Sequence, residues 1–374
     1  MKAIGMMSGT SLDGITVALV STGLNGENFK ILSFETYPFS KKIRAFIEKV
    51  IEKGETEEIS FLNFYMGKLY ANTAKRFMKE KNINQKEVNA IGMHGQTIFH
   101  TEKKRSLCGI SVEGHTFQIG EPAFVARETG LTVVSNFRPK DMAAGGKGAP
   151  LIPLFDFLVF SKKGKRIAVQ NLGGIGNVTF LSGKKLSSVF AFDTGPCNML
   201  LDGAMKLLYG KDFDKDGKIA SSGKIIEKLF SKLKNTPYLK KKPPKSTGRS
   251  EFGEHFLKKT LKGFEKEKKR DIIATLNKFV AFTISKSYED FLPGIDYAVL
   301  SGGGVFNKTL VENIKDYLKV PVRVSDEFEV PAEAKEAGAF ALYALRTLHG
   351  KFSDLPGATG AKEKQILGDI TYAG

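Results

Sequence analysis

Tryptophan is absent from this 374-residue chain, and it has only two cysteines, Cys108 and Cys197. Two thiols exclude a disulfide framework and a four-cysteine zinc site. No apolar run reaches the roughly 18 residues that a membrane-spanning helix needs. The first glycine turn starts at Gly5, too early to leave room for a signal-peptide apolar region. A cytoplasmic location without a membrane partner is therefore expected. Also missing are a Walker A loop, a GxGxxG fingerprint and any RNA-recognition, zinc-finger or helix-turn-helix signature.

What is abundant is positive charge, with 57 Lys and Arg against 40 Asp and Glu, a net charge of +17. Dense cations gain counterion-release energy on nucleic acid, but here they interleave with Glu, as from Lys258 to Arg270. That pattern reads as a solvated helix face, so no nucleic-acid partner is expected, although the charge would help attract an anionic substrate. Apolar residues make up 41% and charged residues 26%, a globular profile. The length favours two domains around a cleft.

Glycine marks the organisation. Gly5-Met-Met-Ser-Gly-Thr-Ser-Leu-Asp-Gly14 lies between apolar stretches and reads as a β-hairpin with an exposed tip. Gly9 and Gly14 allow close backbone approach, Ser8, Thr10 and Ser11 supply hydroxyls, and Asp13 supplies a carboxylate. These groups suit phosphate oxygens and a hard cation such as Mg²⁺, although the same residues also build ordinary turns. A second unit of strand, glycine turn and strand runs from Arg166 to Phe180 through Gly173, Gly174 and Asn177, which points to two related halves. A third run, Ser301-Gly-Gly-Gly304 with Asn307, joins an apolar strand to the helical pattern Lys308 to Leu318. Strand, glycine turn and helix N-terminus together suit a nucleotide.

MSGTSLDG, HGQT, NLGGIGNVT, FDTGP, PKSTGR, SGGG and EAKEAGAFA occur in this order between Gly5 and about Leu345. Together they resemble the anhydro-N-acetylmuramic acid kinase family, bacterial sugar kinases of the actin-like, Hsp70 and hexokinase superfamily. The resemblance implies a two-lobed α/β protein of actin-like ATPase (ribonuclease H-like) fold, each lobe holding a five-stranded mixed sheet with flanking helices. The expected lobes are residues 1–131 and 132–374, with the C-terminal tail able to join the first. The implied reaction opens a 1,6-anhydro ring with water and phosphorylates O6 with ATP. In this reading Mg²⁺ lies at Asp13, the glycine turns hold ATP, and the protein is a homodimer.

The motifs between these turns carry the substrate chemistry. Val88 to Met93 reads as a strand that delivers His94-Gly-Gln-Thr97 to a sheet edge. The resemblance places this motif beside the sugar, favouring Gln96 and Thr97, while His94 reads more simply as satisfying a turn. Arg138 suits a carboxylate through its bidentate fork; the resemblance makes it a ligand of the lactyl carboxylate, against a surface ion pair with Asp141. Asp193 stands on an aromatic strand that ends at Thr-Gly-Pro, a rigid base suited to taking a proton from water. The competing role is capping the helix Asn198 to Tyr209. The family places its catalytic Asp in this motif, and Glu336 at the position that assists it; dipole pairing is the other reading of Glu336. Arg249, in a basic proline-broken loop, is placed near substrate or the partner subunit. Asp212 to Gly217 opens like an EF-hand loop, but its twelfth position is Gly223, so no calcium site is expected.

Four positions depart from the family pattern: Thr16 and Asn136 replace Asp, Lys147 replaces Gln and Cys197 replaces Gly. They put the exact sugar in question, and levoglucosan is the alternative substrate. A non-enzymatic ATP-gated protein of the actin and Hsp70 kind is the rival from another class.

Overall fold

A computed structural model describes residues 1–9 and 11–374. The chain divides into two compact units, Met1–Val159 with Glu329–Gly374, and Phe160–Phe328.

In the first unit, β1 (Lys2–Ser8), β2 (Gly14–Ser21) and β3 (Lys30–Pro38) form an antiparallel meander. β1 and β2 are buried along most of their length, as expected of central strands covered on both faces. Next come β4 (Ala90–Thr101), a small exposed hairpin of β5 (Arg105–Leu107) and β6 (Ile110–Val112), then β7 (His115–Ile119) and β8 (Val133–Ser135). β4 runs parallel to β1, β8 runs parallel to β4, and β7 adds to β4 antiparallel.

The second unit repeats the scheme. β9 (Arg166–Leu172), β10 (Ile175–Ser182) and β11 (Phe190–Pro196) form an antiparallel meander, and β12 (Tyr297–Ser301) and β13 (Val322–Val324) continue parallel from β9. The order β11-β10-β9-β12-β13 matches the path β3-β2-β1-β4-β8 of the first sheet, to which β7 is added on β4. The shared order supports two related halves and is the mixed-sheet α/β architecture expected of the actin-like fold. The helix Lys269–Phe291 supplies Leu276, Phe279, Val280 and Ile284 to the core of this unit. Its Thr275, Thr283 and Ser287 are buried as well.

The final strand, β14 (Asp369–Thr371), pairs antiparallel with β8. It returns the tail to the first unit, whose sheet among the described residues has seven strands rather than the expected five. The unit boundary also lies later than residue 131. Val133 and Val134 pair with Ile91 and Gly92, which keeps the following segment with the first unit up to Val159.

Close packing explains why residues 329–374 belong to the first unit as well. The helix Lys335–Leu348 lies on β1, β2 and β4. Gly5 and Gly92 are register partners, and a Cβ on them would come within 1.7 Å of the Ala337 carbonyl and 2.0 Å of the Phe340 carbonyl. No side chain fits either position, so these two glycines set how near the helix comes to the sheet.

Candidate active site

The tip of the β1–β2 hairpin is tied down from inside. Leu12 adopts φ 57°, a strained region for a branched apolar residue, while its side chain is buried and its amide donates to the Gly9 carbonyl at 3.2 Å. Core burial of Leu12 thus holds the turn that leaves Ser11 and Asp13 exposed. Ser8 faces the other way: it is buried and bonded to the Tyr70 hydroxyl at 2.6 Å, so its role is to anchor the tip. Thr10 lies outside the described residues.

The motif His94-Gly-Gln-Thr97 sits within a strand rather than at its end. β4 continues to Thr101 because β7 takes over pairing beyond Gln96. Gln96 is fully buried, and its Nε2 donates to the carbonyls of Gly9, at 3.4 Å, and Thr97, at 3.1 Å. Its Oε1 has no hydrogen-bond partner among the described residues, and the same holds for Oε1 of Gln118, whose Nε2 donates to Thr97 Oγ1 at 3.2 Å. Unmatched buried acceptors are costly, and two of them beside Thr97 suit a ligand with several hydroxyls.

Arg138, on the helix Phe137–Ala143, is half-buried with two donors engaged. Nε donates to His94 Nε2 at 3.0 Å, and Nη1 donates to the Gly148 carbonyl at 2.7 Å. Burial lowers the guanidinium to about 10, opposed by Glu336 and Asp141. His94 is buried and neutral: burial, then the Arg138 charge, lower it to about 3. Its Nδ1 donates to the Gly95 carbonyl at 2.9 Å, which leaves Nε2 as the acceptor for Arg138. His94 therefore lies within β4 rather than in the expected turn, where it bonds the Gly95 carbonyl and holds Arg138. Asp141 does not pair with Arg138; it accepts the Gly148 amide at 2.7 Å and the Thr359 hydroxyl at 2.6 Å. Glu336, in the first turn of the helix Lys335–Leu348, is pushed up by burial, with Lys335 and Arg138 opposing. Its electrostatic coupling to Arg138 puts both in one charged cluster of the first unit.

In the second unit, Ser301, Asn171, Asn177 and Asp193 are successive register partners across β12, β9, β10 and β11. Directly opposed residues share a sheet face, so Asp193 ends a polar row at the glycine-turn end of the sheet. Its Oδ2 accepts the Thr247 amide at 2.8 Å, its carbonyl accepts the Tyr238 hydroxyl at 2.7 Å, and its amide donates to the Lys245 carbonyl at 3.1 Å. Asp193 is thus held at backbone and carboxylate. It does not cap the helix Asn198–Tyr209, whose N-cap is Cys197.

The glycine turns of this unit are partly engaged. The Gly173 and Gly174 carbonyls accept the amides of Cys197, Asn198 and Met199, so the first amides of that helix are already used. Gly302 adopts φ 82°, and a Cβ there would come within 2.4 Å of Asn171 Oδ1, which makes it a glycine of necessity. Gly303 and Gly304 continue into a 3₁₀ turn ending at Phe306. Asn307 is used as an N-cap, its Oδ1 accepting the Leu310 amide at 3.0 Å. Arg249 is exposed at the start of the short helix Arg249–Phe252. In the EF-hand-like segment, Asp214 instead accepts the amides of Ile219 and Ala220, both at 2.9 Å.

The departures from the family pattern have local partners. Thr16 bonds Thr36 at 2.9 Å, Asn136 bonds Asp369 at 2.7 Å, Lys147 pairs with Glu102 at 3.1 Å, and Cys197 is buried. His94, Gln118, Asn171, Ser301, Tyr238, Thr247 and Lys245 are site neighbours that sequence reasoning did not assign. His94 inside HGQT, Asn171 inside NLGGIGNVT, Lys245 and Thr247 inside PKSTGR, and Ser301 inside SGGG lie within recognisable motifs; Gln118 and Tyr238 carried no signal.

The sequence model of the family described as anhydro-N-acetylmuramic acid kinase matches residues 1–373. An anhydro-N-acetylmuramic acid kinase of Bacillus cereus (strain Q1) is 43% identical over 383 residues, spanning 100% of this chain and 99% of the relative. One from Caldanaerobacter subterraneus subsp. tengcongensis is 40% identical, spanning 98% and 96%. Among solved structures, the activator of the 2-hydroxyisocaproyl-CoA dehydratase from Clostridium difficile aligns over 94% of this chain and 96% of its own, at 14% identity and TM-score 0.46. With a match along nearly all of its length, this chain belongs to the anhydro-N-acetylmuramic acid kinase family.

Proposed function

We propose that this chain uses ATP to open the 1,6-anhydro ring of 1,6-anhydro-N-acetylmuramic acid and to phosphorylate O6, giving N-acetylmuramic acid 6-phosphate in peptidoglycan recycling. The observation that carries the reading is Asp193, held at backbone and carboxylate on a sheet strand, with Oδ2 on the Thr247 amide at 2.8 Å. Asp193 takes a proton from water as the water oxygen attacks C1. The C1–O6 bond breaks, O6 receives the γ-phosphoryl group, and ADP leaves. Glu336 assists in holding the water.

Arg138, fixed by His94 and Gly148, receives the lactyl carboxylate; that favours this sugar over levoglucosan, which has no carboxylate. Gln96 and Thr97 bind hydroxyls, and Arg249 contacts substrate or the partner subunit of a homodimer. Ser11, Asp13 and the glycine turns at Gly173 and Gly302 receive the nucleotide. The exposed Asp13 carboxylate fits Mg²⁺, which is commonly held by one or two carboxylates plus substrate phosphates; the ion would neutralise charge on the transferred group. The reaction is assigned to the cytoplasm, and among the described residues no helix is long and apolar enough to cross a membrane.

The test is mass spectrometry of the products formed from ATP and the anhydro sugar in ¹⁸O-labelled water. A phosphorylated sugar with one ¹⁸O at C1 is expected. Turnover of levoglucosan alone would move the substrate assignment, and inactivity with both sugars would sink the kinase reading.

A further inference from the structure

Lys245 is only 8% exposed, and its ammonium has no hydrogen-bond partner among the described residues. Three aromatic rings surround it instead, with centroids at 4.7 Å for Phe291, 4.8 Å for Tyr238 and 5.6 Å for Phe192. They come from the helix Lys269–Phe291, the 3₁₀ turn Pro237–Lys240 and β11. A cation facing several rings is attracted by their quadrupoles, and more strongly where water is excluded. A lysine in a basic surface loop would ordinarily keep its charge in water. This one turns inward, beside the candidate base.

The backbone of the same segment reaches Asp193 twice. The Lys245 carbonyl accepts the Asp193 amide at 3.1 Å, and two residues later the Thr247 amide donates to Asp193 Oδ2 at 2.8 Å. The lysine thus anchors a three-residue segment whose far end holds one carboxylate oxygen.

We propose that Lys245 is a positioning residue for Asp193: its caged ammonium pins residues 245–247 so that the Thr247 amide keeps the carboxylate aimed. This role rests on Asp193 being the base of the proposed reaction. The charged and titratable groups around the amine are Asp290 on the helix, Asp193 on β11, and Tyr238 and Lys241 of the preceding turn and loop. Burial lowers the amine to about 8, with Asp290 and Asp193 opposing and Lys241 reinforcing. Above that pH the neutral amine loses its attraction to the rings, so turnover falls on the alkaline side.

Two readouts test the proposal. Amide hydrogen exchange at Thr247 is measured on the full chain without any substrate, in wild type, Lys245→Met, Lys245→Arg and Phe291→Leu. Protection of that amide is expected to fall at least tenfold in Lys245→Met and severalfold in Phe291→Leu, and to be largely kept in Lys245→Arg. The pH profile of turnover is then recorded on anhydro-N-acetylmuramic acid. Misplacing a reacting group by about 1 Å costs roughly 10²-fold, and kcat of Lys245→Met is expected to fall by that order. The KM for ATP stays put, and the alkaline fall near pH 8 disappears. Unchanged Thr247 protection in a folded Lys245→Met, or an alkaline fall that persists in it, overturns the proposal. If wild type does not turn over the sugar, the kinase reading fails by itself, and the Thr247 exchange still decides whether the clamp exists.

Discussion

The two glycine hairpins, β1–β2 and β9–β10, occupy the same place in the matching strand paths of two sheets, yet their tips are built for different work. The first keeps Ser11 and Asp13 exposed, held by a strained, buried Leu12. The second directs its Gly173 and Gly174 carbonyls into the following helix and stands at the end of the Asn171–Asn177–Asp193 row. A repeated backbone therefore carries an anionic, solvent-facing turn in one unit and a carboxylate-bearing sheet face in the other. Topology was duplicated and chemistry was not.

The sharpest way to break that contrast is to neutralise the carboxylate of the second unit. Asp193→Asn should lower kcat by about 10²- to 10⁴-fold with nucleotide affinity retained, read by steady-state kinetics and calorimetric ATP titration. Full activity would remove Asp193 from the chemistry. Next in size is a pair of glycine substitutions. Gly5→Ala drives a Cβ against the Ala337 carbonyl and should destabilise the first unit by about 3 kcal/mol or more. Gly174→Ala, whose Cβ would meet only Met199 atoms at 3.7 Å and beyond, should leave the urea midpoint nearly unchanged. Equal losses would contradict the packing account.

Arg138→Lys removes the fork held by His94 and Gly148. The KM for the anhydro sugar should rise about tenfold to hundredfold, since hydrogen bonds to charged groups contribute about 1.5–3 kcal/mol, while kcat changes little. His94 predicts an acid limb. The unfolded imidazole takes a proton near 6.5, whereas the folded one stays neutral down to about 3. Between these values the unfolded state binds more protons, so stability falls as pH drops, by at most about 1.4 kcal/mol per pH unit. His94→Gln should flatten that slope in urea titrations run from pH 7 to pH 4. The smallest effect belongs to Lys147→Gln, which breaks an exposed pair with Glu102 and should shift stability by under about 1 kcal/mol.

Much of this was legible before the fold was known, for identifiable reasons. The hairpins show as apolar runs interrupted by glycine, and the helices Asn198–Tyr209 and Lys308–Leu318 follow from local periodicity and apolar content. The length of β4 did not show, because its second half depends on β7, a partner made later in the chain. Nor did the seven-stranded sheet, whose β14 comes from the far terminus. His94 and Arg138 are 44 residues apart, and nothing local says that one accepts from the other. Lys245 is the plainest case: in sequence it belongs to a run of loop lysines, and only its three rings, from positions 192, 238 and 291, set it apart.

By itself, the sequence determined where strands turn, which residues carry hydroxyls and carboxylates at those turns, and the family to which the motif order belongs, because each depends on neighbours within a few positions. The tertiary structure alone decided which groups remain available for a ligand. Ser8 goes to Tyr70, Asn307 to a helix cap and Asp141 to a loop amide, while Asp193 is held on its strand and Asp13 stays exposed. Burial and hydrogen-bond partnering belong to groups brought together across long stretches of chain. They settle the protonation and aim of a side chain, and both arise only once distant segments have packed.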